Sequence, residues 1–544
     1  MSYINIVYAS IFFALLAGIF VLLKFQLRRK KIRHFRRNWG ELPEYRLNIE
    51  TARIYSKMKD TKPDKPGYSI DERTWQDLDM NEIFVLINRT ISPIGGQLLF
   101  HLLKTPVADV RILAEREKLI ALFSKDQSFR ENIQIALLKL QTKNVGYLAR
   151  LLWTPLPQPP FYAKLLPVLS FMSAAGLLGI FIHLWPWWII IFIFSFNLFI
   201  RHFVKRKIDD AIISFQQLEK MLHVADLLTA RKFERLRALH GELKRNLKKT
   251  RKLRKKIISL QLQDGFGLSD YINIFFLLDV TAFYLALNEI KKNLPALQKI
   301  LEIVGSIDAM ISIASFRRQF SRFCIPQFSA DRGEFFVEDI YHPLLENPVD
   351  NTFHFEAKNI LITGSNMSGK TTFLKTMGIN AIFAQTLNMA MAKKYKAPAL
   401  RVKSSISKSD NLMTGKSYYL SEVESILRLI KAAEDGKTYL LLIDEIFRGT
   451  NSVERSAASI EVLDYLAQND DFILVATHDL DLTQILQKIY ENYHFRETMQ
   501  KTGLHFDYKI KPGRSATKNA IALLEYTGFP QAIVAGANRR LSNT

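Results

Sequence analysis

The chain has 544 residues, with 75 Lys and Arg against 52 Asp and Glu, for a net charge of +23. This length accommodates roughly three or four domains and an ample core, and a content of 48% hydrophobic and 12% aromatic residues excludes a wholly disordered chain. The single cysteine, Cys324, excludes a disulfide scaffold, and so large a positive excess calls for a polyanion or an anionic membrane surface as partner.

The first element is an uncharged run from Ile4 to Leu23, long enough to cross a hydrocarbon core of about 30 Å as a helix. Eight basic residues without an acid follow between Lys24 and Arg37. A cleaved leader carries its positive charge before the apolar run, so this order predicts an uncleaved anchor over 1–40 with its basic flank in the cytoplasm. A buried core helix is the competing reading. Residues 41–75, with Pro43, Pro63 and Pro66, read as a linker. Helical spacing of apolar residues then predicts a helical core segment over 76–152.

A second block, Leu165 to Ile200, holds no Asp, Glu, Lys or Arg, and Pro186 among Trp185, Trp187 and Trp188 divides it. It predicts a transmembrane hairpin over 160–204, with a re-entrant hairpin as the alternative. Basic residues flank both ends, so the expected location is a cytoplasmic membrane, multi-pass, with the soluble parts facing the cytoplasm. Residues 205–324 read as long helices. Within them nine basic residues lie between Lys244 and Lys256, and on one helix Lys244, Lys248, Arg251 and Lys255 form a stripe. Such a stripe can grip DNA phosphates; it can also be a solvated face or meet lipid headgroups.

The chemistry lies in residues 325–544. A short strand, Asn359 to Thr363, runs into Gly364-Ser365-Asn366-Met367-Ser368-Gly369-Lys370-Thr371-Thr372 and then a helical pattern, matching the phosphate-binding loop. Backbone N–H groups would cradle the phosphates of ATP, Lys370 would reach the β and γ groups, and Thr371 would ligate Mg²⁺. A buried strand, Tyr439 to Ile443, ends in Asp444-Glu445, which suit the metal and the attacking water. A third strand, Phe472 to Ala476, is followed by Thr477-His478, where a sensor of the γ-phosphate is expected.

These residues, together with Asp444-Glu445-Ile446-Phe447-Arg448-Gly449-Thr450 and Ala476-Thr477-His478, resemble the ATPase domain of MutS mismatch-repair proteins. Gly415-Lys416-Ser417-Tyr418-Tyr419 resembles the signature loop of that family, which implies that Gly415 and Ser417 reach the nucleotide of the other subunit in a homodimer. Tyr341-His342-Pro343, Tyr508-Lys509 and Ser306-Ile307-Asp308 are similar to further landmarks. The resemblance implies an α/β P-loop, ABC-like ATPase domain at the C-terminus, preceded by an α-helical core and lever region into which the hairpin is inserted. It also implies DNA binding coupled to ATP hydrolysis, with Glu445, His478 and Lys370 as catalytic residues.

Two departures qualify this picture. Phe447 stands where the family commonly has glycine. The stretch from 24 to 75 is too short for the mismatch-recognition and connector domains, so direct mismatch reading is not expected. An ABC-type transport ATPase and a non-enzymatic membrane tether for DNA are the alternative functions. Residues 325–544 hold 25 charges of each sign, so the whole excess of 23 lies in residues 1–324.

Overall fold

The computed structural model describes residues 3–42, 48–60, 67–141, 146–156, 158, 160–258, 268–329, 334–355, 359–365, 367–406, 418–447, 451–500, 503–514, 524 and 527–542. A helical N-terminal region is followed by an α/β region with two mixed sheets. The helices are Tyr3–Arg37 (α1), Ile49–Asp60 (α2), Glu72–Asp77 (α3), Met80–Ile87 (α4), Pro93–Lys104 (α5), Val110–Lys125 (α6), Gln127–Leu137 (α7), Tyr147–Trp153 (α8), Leu166–Phe181 (α9), Ile189–Leu228 (α10), Ala238–Lys249 (α11), Arg251–Ile258 (α12), Leu268–Phe276 (α13) and Leu278–Gln319 (α14). Then come Gln327–Phe328 (β1), Phe335–Ile340 (β2), Asn351–Phe355 (β3), Asn359–Thr363 (β4), Lys370–Thr386 (α15), Lys394–Ala397 (β5), Arg401–Ile406 (β6), Tyr418–Ala433 (α16), Tyr439–Asp444 (β7), Ser452–Ala467 (α17), Phe472–Ala476 (β8), Leu480–Ile485 (α18), Glu491–Gln500 (β9), Gly503–Pro512 (β10) and a helix over Gln531–Ser542.

Two compact units divide the chain: Met1–Lys65 with Asn88–His101 and Leu119–Gln319, and Pro66–Ile87 with Leu102–Lys118 and Phe320–Thr544. This division runs across the expected linker at 41–75 and helical segment at 76–152. Part of each belongs with the sheets, because α3 and α4 are amphipathic and have the sheet region to pack on. Asp77, for example, is buried and accepts hydrogen bonds from Ser404 Oγ (2.8 Å) and the Ile406 N–H (3.0 Å) at the end of β6.

In the helical unit, Asp308 of α14 pins the start of α5. Its carboxylate accepts from the Ile91 N–H (3.0 Å), the Ser92 N–H (2.8 Å) and Ser92 Oγ (2.6 Å). Gly95 makes this approach possible, since a Cβ there would sit 2.3 Å from Asp308 Oδ2. Burial raises the Asp308 carboxyl to about 6.

Ser10–Arg37 of α1 is long and apolar enough to cross a membrane, by length and composition. The two legs of the expected hairpin appear as α9 and the start of α10, with Pro186 in the break between them. They are shorter apolar helices, and the 16 residues of α9 reach only about 24 Å at 1.5 Å per residue. The apolar part of the second leg is Ile189–Val204, and the helix itself, α10, continues to Leu228. The legs pack closely at Gly176 and Gly179, where added Cβ atoms would lie 2.5 Å from Ile193 and 2.9 Å from Trp185. Asn197 donates to Ser173 Oγ (2.8 Å) and to the Phe275 carbonyl (2.6 Å), tying both legs to α13.

The basic stripe is not on one helix. Lys244 and Lys248 lie on α11, Arg251 and Lys255 on α12, and the helices part at Thr250. Thr250 is buried and its hydroxyl donates to the Leu247 carbonyl, a local bond that competes with helix continuation. Lys244, Lys248 and Arg251 are exposed.

In the second unit the large sheet has the order β10-β9-β4-β8-β7-β6, parallel except for β10. The small sheet is β1-β5-β2-β3. Every residue of β7 and β8 is buried, as their uninterrupted apolar runs require of central parallel strands. The sheets meet through aromatic rings: Phe472 of β8 lies 5.5 Å from Phe335 and 5.3 Å from Phe355, centroid to centroid.

Candidate functional site

β4, β8 and β7 are adjacent and parallel, so their C-terminal ends, Thr363, Ala476 and Asp444, fall on one edge of the sheet. The loop from Gly364 to Gly369 leaves this edge and opens α15. Gly364 has φ +150° and Gly369 φ +108°, conformations that favour glycine. Gly364 is further fixed by contact, because a Cβ there would lie 2.7 Å from Ser368 Oγ and 3.0 Å from the Phe495 carbonyl. Met367 also has positive φ, at +71°, and its side chain is exposed.

Lys370 is buried, and its ammonium donates to the carbonyls of Gly364 (2.7 Å) and Ser365 (2.9 Å). The Thr371 hydroxyl donates to Asp444 Oδ2 at 2.7 Å. Ser365 Oγ and Ser368 Oγ are buried with no hydrogen-bond partner among the described atoms. In a well-made structure such groups are satisfied, so the loop carries unused capacity for a ligand with oxygen acceptors.

Glu445 follows Asp444 with φ +57°, and its N–H donates to the Ala476 carbonyl (2.9 Å), which turns the side chain toward β8. There His478 Nδ1 lies 3.1 Å from Glu445 Oε1. The hydrogen bond to Glu445 raises the pKa of His478 above its ordinary value, against the opposing effect of partial burial. Two residues on, Phe447 has φ +56° and is buried, with its ring 6.1 Å from that of Tyr419 at the start of α16. The left-handed backbone accounts for the glycine expected at this position, and burial of the ring offsets the strain of carrying a side chain there.

Ser365, Ser368, Lys370, Thr371, Asp444 and Glu445 line one cleft of about 520 Å³. Leu345 and Val349, assigned no role from sequence, also line it, as do His342 and Tyr508 from two of the family landmarks. Tyr508 sits at a register shift between β9 and β10 with φ +53°. Asn351 holds it, donating to the Tyr508 carbonyl (3.1 Å) and accepting from the Ile510 N–H (2.8 Å). The contribution of Tyr508 depends on this bulge, for which local sequence gives no signal. His342 is buried, which with the nearby Lys375 ammonium lowers it to about 4 and keeps it neutral. Asn366, Gly415 and Ser417 lie outside the described residues. Lys244, Lys248 and Arg251 belong to the helical unit and line none of this cleft.

A family model, MutS domain V, matches residues 360–544, from β4 to the end of the chain. The DNA mismatch repair protein MutS of Natronomonas pharaonis is 28% identical over 255 residues, covering 45% of this chain and 29% of that protein. The protein of the same name from Thermus thermophilus is 28% identical over 266 residues, covering 48% and 32%. MutS protein homolog 4 of Homo sapiens is 31% identical over 269 residues, covering 46% and 28%. Through residues 360–544 the chain is similar to the MutS family. It spans only about a third or less of the length of these relatives. The MutS domain V match contains the glycine loop, Asp444, Glu445, His478 and Tyr508; the small-sheet strands β1 to β3, His342 and Val349 precede it.

Proposed function

We propose that this chain is a membrane-anchored, Mg²⁺-dependent P-loop ATPase of the MutS family that binds DNA, works as a dimer through its ATPase domains and couples ATP hydrolysis to the setting of its helices. The observation that carries the ATPase reading is the convergence of Lys370, the Thr371–Asp444 pair and Glu445 on a single cleft, with His478 paired to Glu445. The unpartnered Ser365 and Ser368 hydroxyls fit a polyphosphate, and the hydroxyl and carboxylate oxygens of Thr371 and Asp444 fit Mg²⁺. Among the described residues no cluster of three or more His, Cys, Asp or Glu is placed to hold a metal, as expected of an ion that arrives with phosphates supplying most of its ligands.

Magnesium would neutralise charge on the phosphates. Lys370 would exchange its two carbonyl acceptors for phosphate oxygens, and the glycine loop would orient them with its N–H groups. Glu445, held by His478, would orient a water and take its proton. His478, bonded through one ring nitrogen to Glu445, would keep the other for the terminal phosphate. Tyr508 and Val349, which also line the cleft, would offer apolar surface to the base. Ser417 of a second copy would complete the site, as the family resemblance implies. The DNA role rests on the family and on the cationic excess of residues 1–324, and anchoring rests on α1.

The test is ATP turnover by the full chain in detergent, with homoduplex, mismatched and branched DNA at fixed salt. Turnover that requires Mg²⁺ and changes with DNA supports the proposal. Turnover indifferent to every DNA, with no DNA binding, would remove its DNA half. DNA binding that survives Glu445→Gln and needs no nucleotide would support a tether instead.

A further inference from the structure

The basic half of α1 is docked, and the docking leaves a cleft. Arg28 donates to Asn132 (2.8 Å), and Arg36 forks onto Glu131 (2.7 and 3.2 Å), both on α7. Below them the Arg130 guanidinium lies 3.6 Å over the Trp39 ring, and the Gly40 N–H donates to Ser315 Oγ (3.1 Å). Two of the cations after the apolar run are therefore spent on protein partners. Lys30 and Lys31 are exposed and have no ion-pair partner among the described residues.

Both lysines line a cleft of about 590 Å³ inside the helical unit. Arg89 and Glu41 stand in its wall, and Leu27 and Ile311 give it apolar surface. Arg89 is bonded to the Glu41 carbonyl and to Gln319 and lies over the Phe316 ring, so its charge is fixed in place. Counting Lys30, Lys31, Arg89 and Glu41, the lining keeps an excess of two positive charges. Gln134 also lines the cleft, and its side-chain oxygen is buried without a hydrogen-bond partner. Two cations ask for an anion, and an orphaned acceptor asks for a hydroxyl donor.

The depth of the cleft says where such a ligand comes from. Leu27 lies four residues past Leu23, and Lys31 eight, about 6 and 12 Å along the helix. If the apolar run of α1 fills the hydrocarbon core, Leu27 falls within the headgroup layer, about 5–8 Å thick on each side, and Lys30 and Lys31 lie just past its outer edge, from which their long side chains reach back to it.

We infer that this cleft is a binding site for an anionic phospholipid with a hydroxyl-bearing headgroup, its phosphate held by Lys30, Lys31 and Arg89 and its hydroxyl by Gln134. The inference rests on the anchoring role proposed for α1. The phosphoglycerol chemistry could equally be offered by a soluble phosphate ester, so the experiment separates the two sources.

Purified full chain is first floated with liposomes of pure phosphatidylcholine. Flotation supports the anchor, and failure to float removes both the anchor and the lipid site. The chain is then placed in phosphatidylcholine nanodiscs with or without phosphatidylglycerol. Bound lipid is read by native mass spectrometry and backbone protection at 27–41 and 89–91 by hydrogen exchange. Phosphatidylglycerol should be retained and should protect both segments. The exposed double variant Lys30→Gln/Lys31→Gln should melt like the parent and retain phosphatidylglycerol about thirtyfold less well. Equal retention of phosphatidylcholine, or retention unchanged in the double variant, would overturn the site while leaving the anchor standing. Equal protection by glycerol phosphate in solution would overturn the lipid source. Displacement of the lipid by duplex DNA from these same residues would assign the cleft to DNA instead.

Discussion

Gly364→Ala tests the glycine loop most directly, because two separate costs can be read at one atom. The first is conformational: φ +150° lies in a region that side chains strain to adopt, at about 1–3 kcal/mol. The second is steric. The new Cβ would sit 2.7 Å from Ser368 Oγ, which can rotate away, and 3.0 Å from the Phe495 carbonyl, which belongs to the strand beside β4 and cannot. Overpacking of this kind adds about 1–3 kcal/mol. The site relaxes most cheaply by moving the residue 364 carbonyl, and that carbonyl is one of the two acceptors holding Lys370. We therefore expect about 3 kcal/mol lost from nucleotide binding, a factor of at least about 100 in affinity. Gly436→Ala is the control, with φ +71° and no atom within 4 Å of the added Cβ, and should cost about 1 kcal/mol with no effect on affinity. Titration with a fluorescent ATP analogue, alongside thermal melting, gives both numbers. Affinity of Gly364→Ala within threefold of the parent, or a loss as large for Gly436→Ala, would refute the assigned role of the loop.

Glu445→Gln should lower ATP turnover by about 10²–10⁴ while nucleotide affinity stays within a few-fold, as single-turnover and binding measurements will show. Ser368→Ala should raise the melting temperature without nucleotide, because a buried unpartnered hydroxyl costs about 1–3 kcal/mol, and should weaken ATP binding; lower stability together with unchanged affinity would contradict this. The two units should respond to acid with opposite signs. His342, held near 4 against an ordinary 6.5, is stabilising above pH 6.5, and about 3 kcal/mol is lost from the sheet-containing unit as pH falls from 6.5 toward 4. Asp308, raised to about 6 from 3.8, carries a penalty of about 3 kcal/mol above pH 6 that disappears as pH falls toward 4, so the helical unit gains. Hydrogen exchange resolved by unit should show the crossing, with His342→Asn and Asp308→Asn each flattening one limb.

The parts legible in the sequence are those with local causes. β4 and β8 coincide with their apolar runs, and β7 with its run plus Asp444, because a strand buried on both faces has no other way to be written. The glycine loop is legible through its two positive-φ glycines. Tyr508 is legible only as part of a family landmark and Val349 not at all, because the place of Tyr508 in the cleft depends on the bulge between β9 and β10, which Asn351 sets at a sequence distance of 157 residues. The helical break at Thr250 was missed for a different reason: nine basic residues mask a single buried threonine whose burial is a tertiary fact. The assignment of α3 and α4 to the sheet-containing unit was hidden by the prolines before them, which mark a loop correctly but do not say which unit the following helix joins.

The charged groups of the cleft already have partners in the chain: Lys370 on two carbonyls, Asp444 on Thr371, Glu445 with His478. A polyphosphate must exchange these bonds, and an exchange yields only the difference between partners. Much of the net gain then falls to groups with unmet capacity, the Ser365 and Ser368 hydroxyls, and to backbone N–H groups that the loop presents together. The same exchange couples the ends of three strands. Were Lys370 and Thr371 to turn to phosphate and metal as proposed, Asp444 would change partner, and the adjacent Glu445 is bonded to β8 through its N–H and paired with His478. Phe447, strained at φ +56° and with its ring beside that of Tyr419, lies between that turn and α16. A residue held by burial against its own backbone preference is where a small movement at Asp444 can be passed to a helix end rather than absorbed.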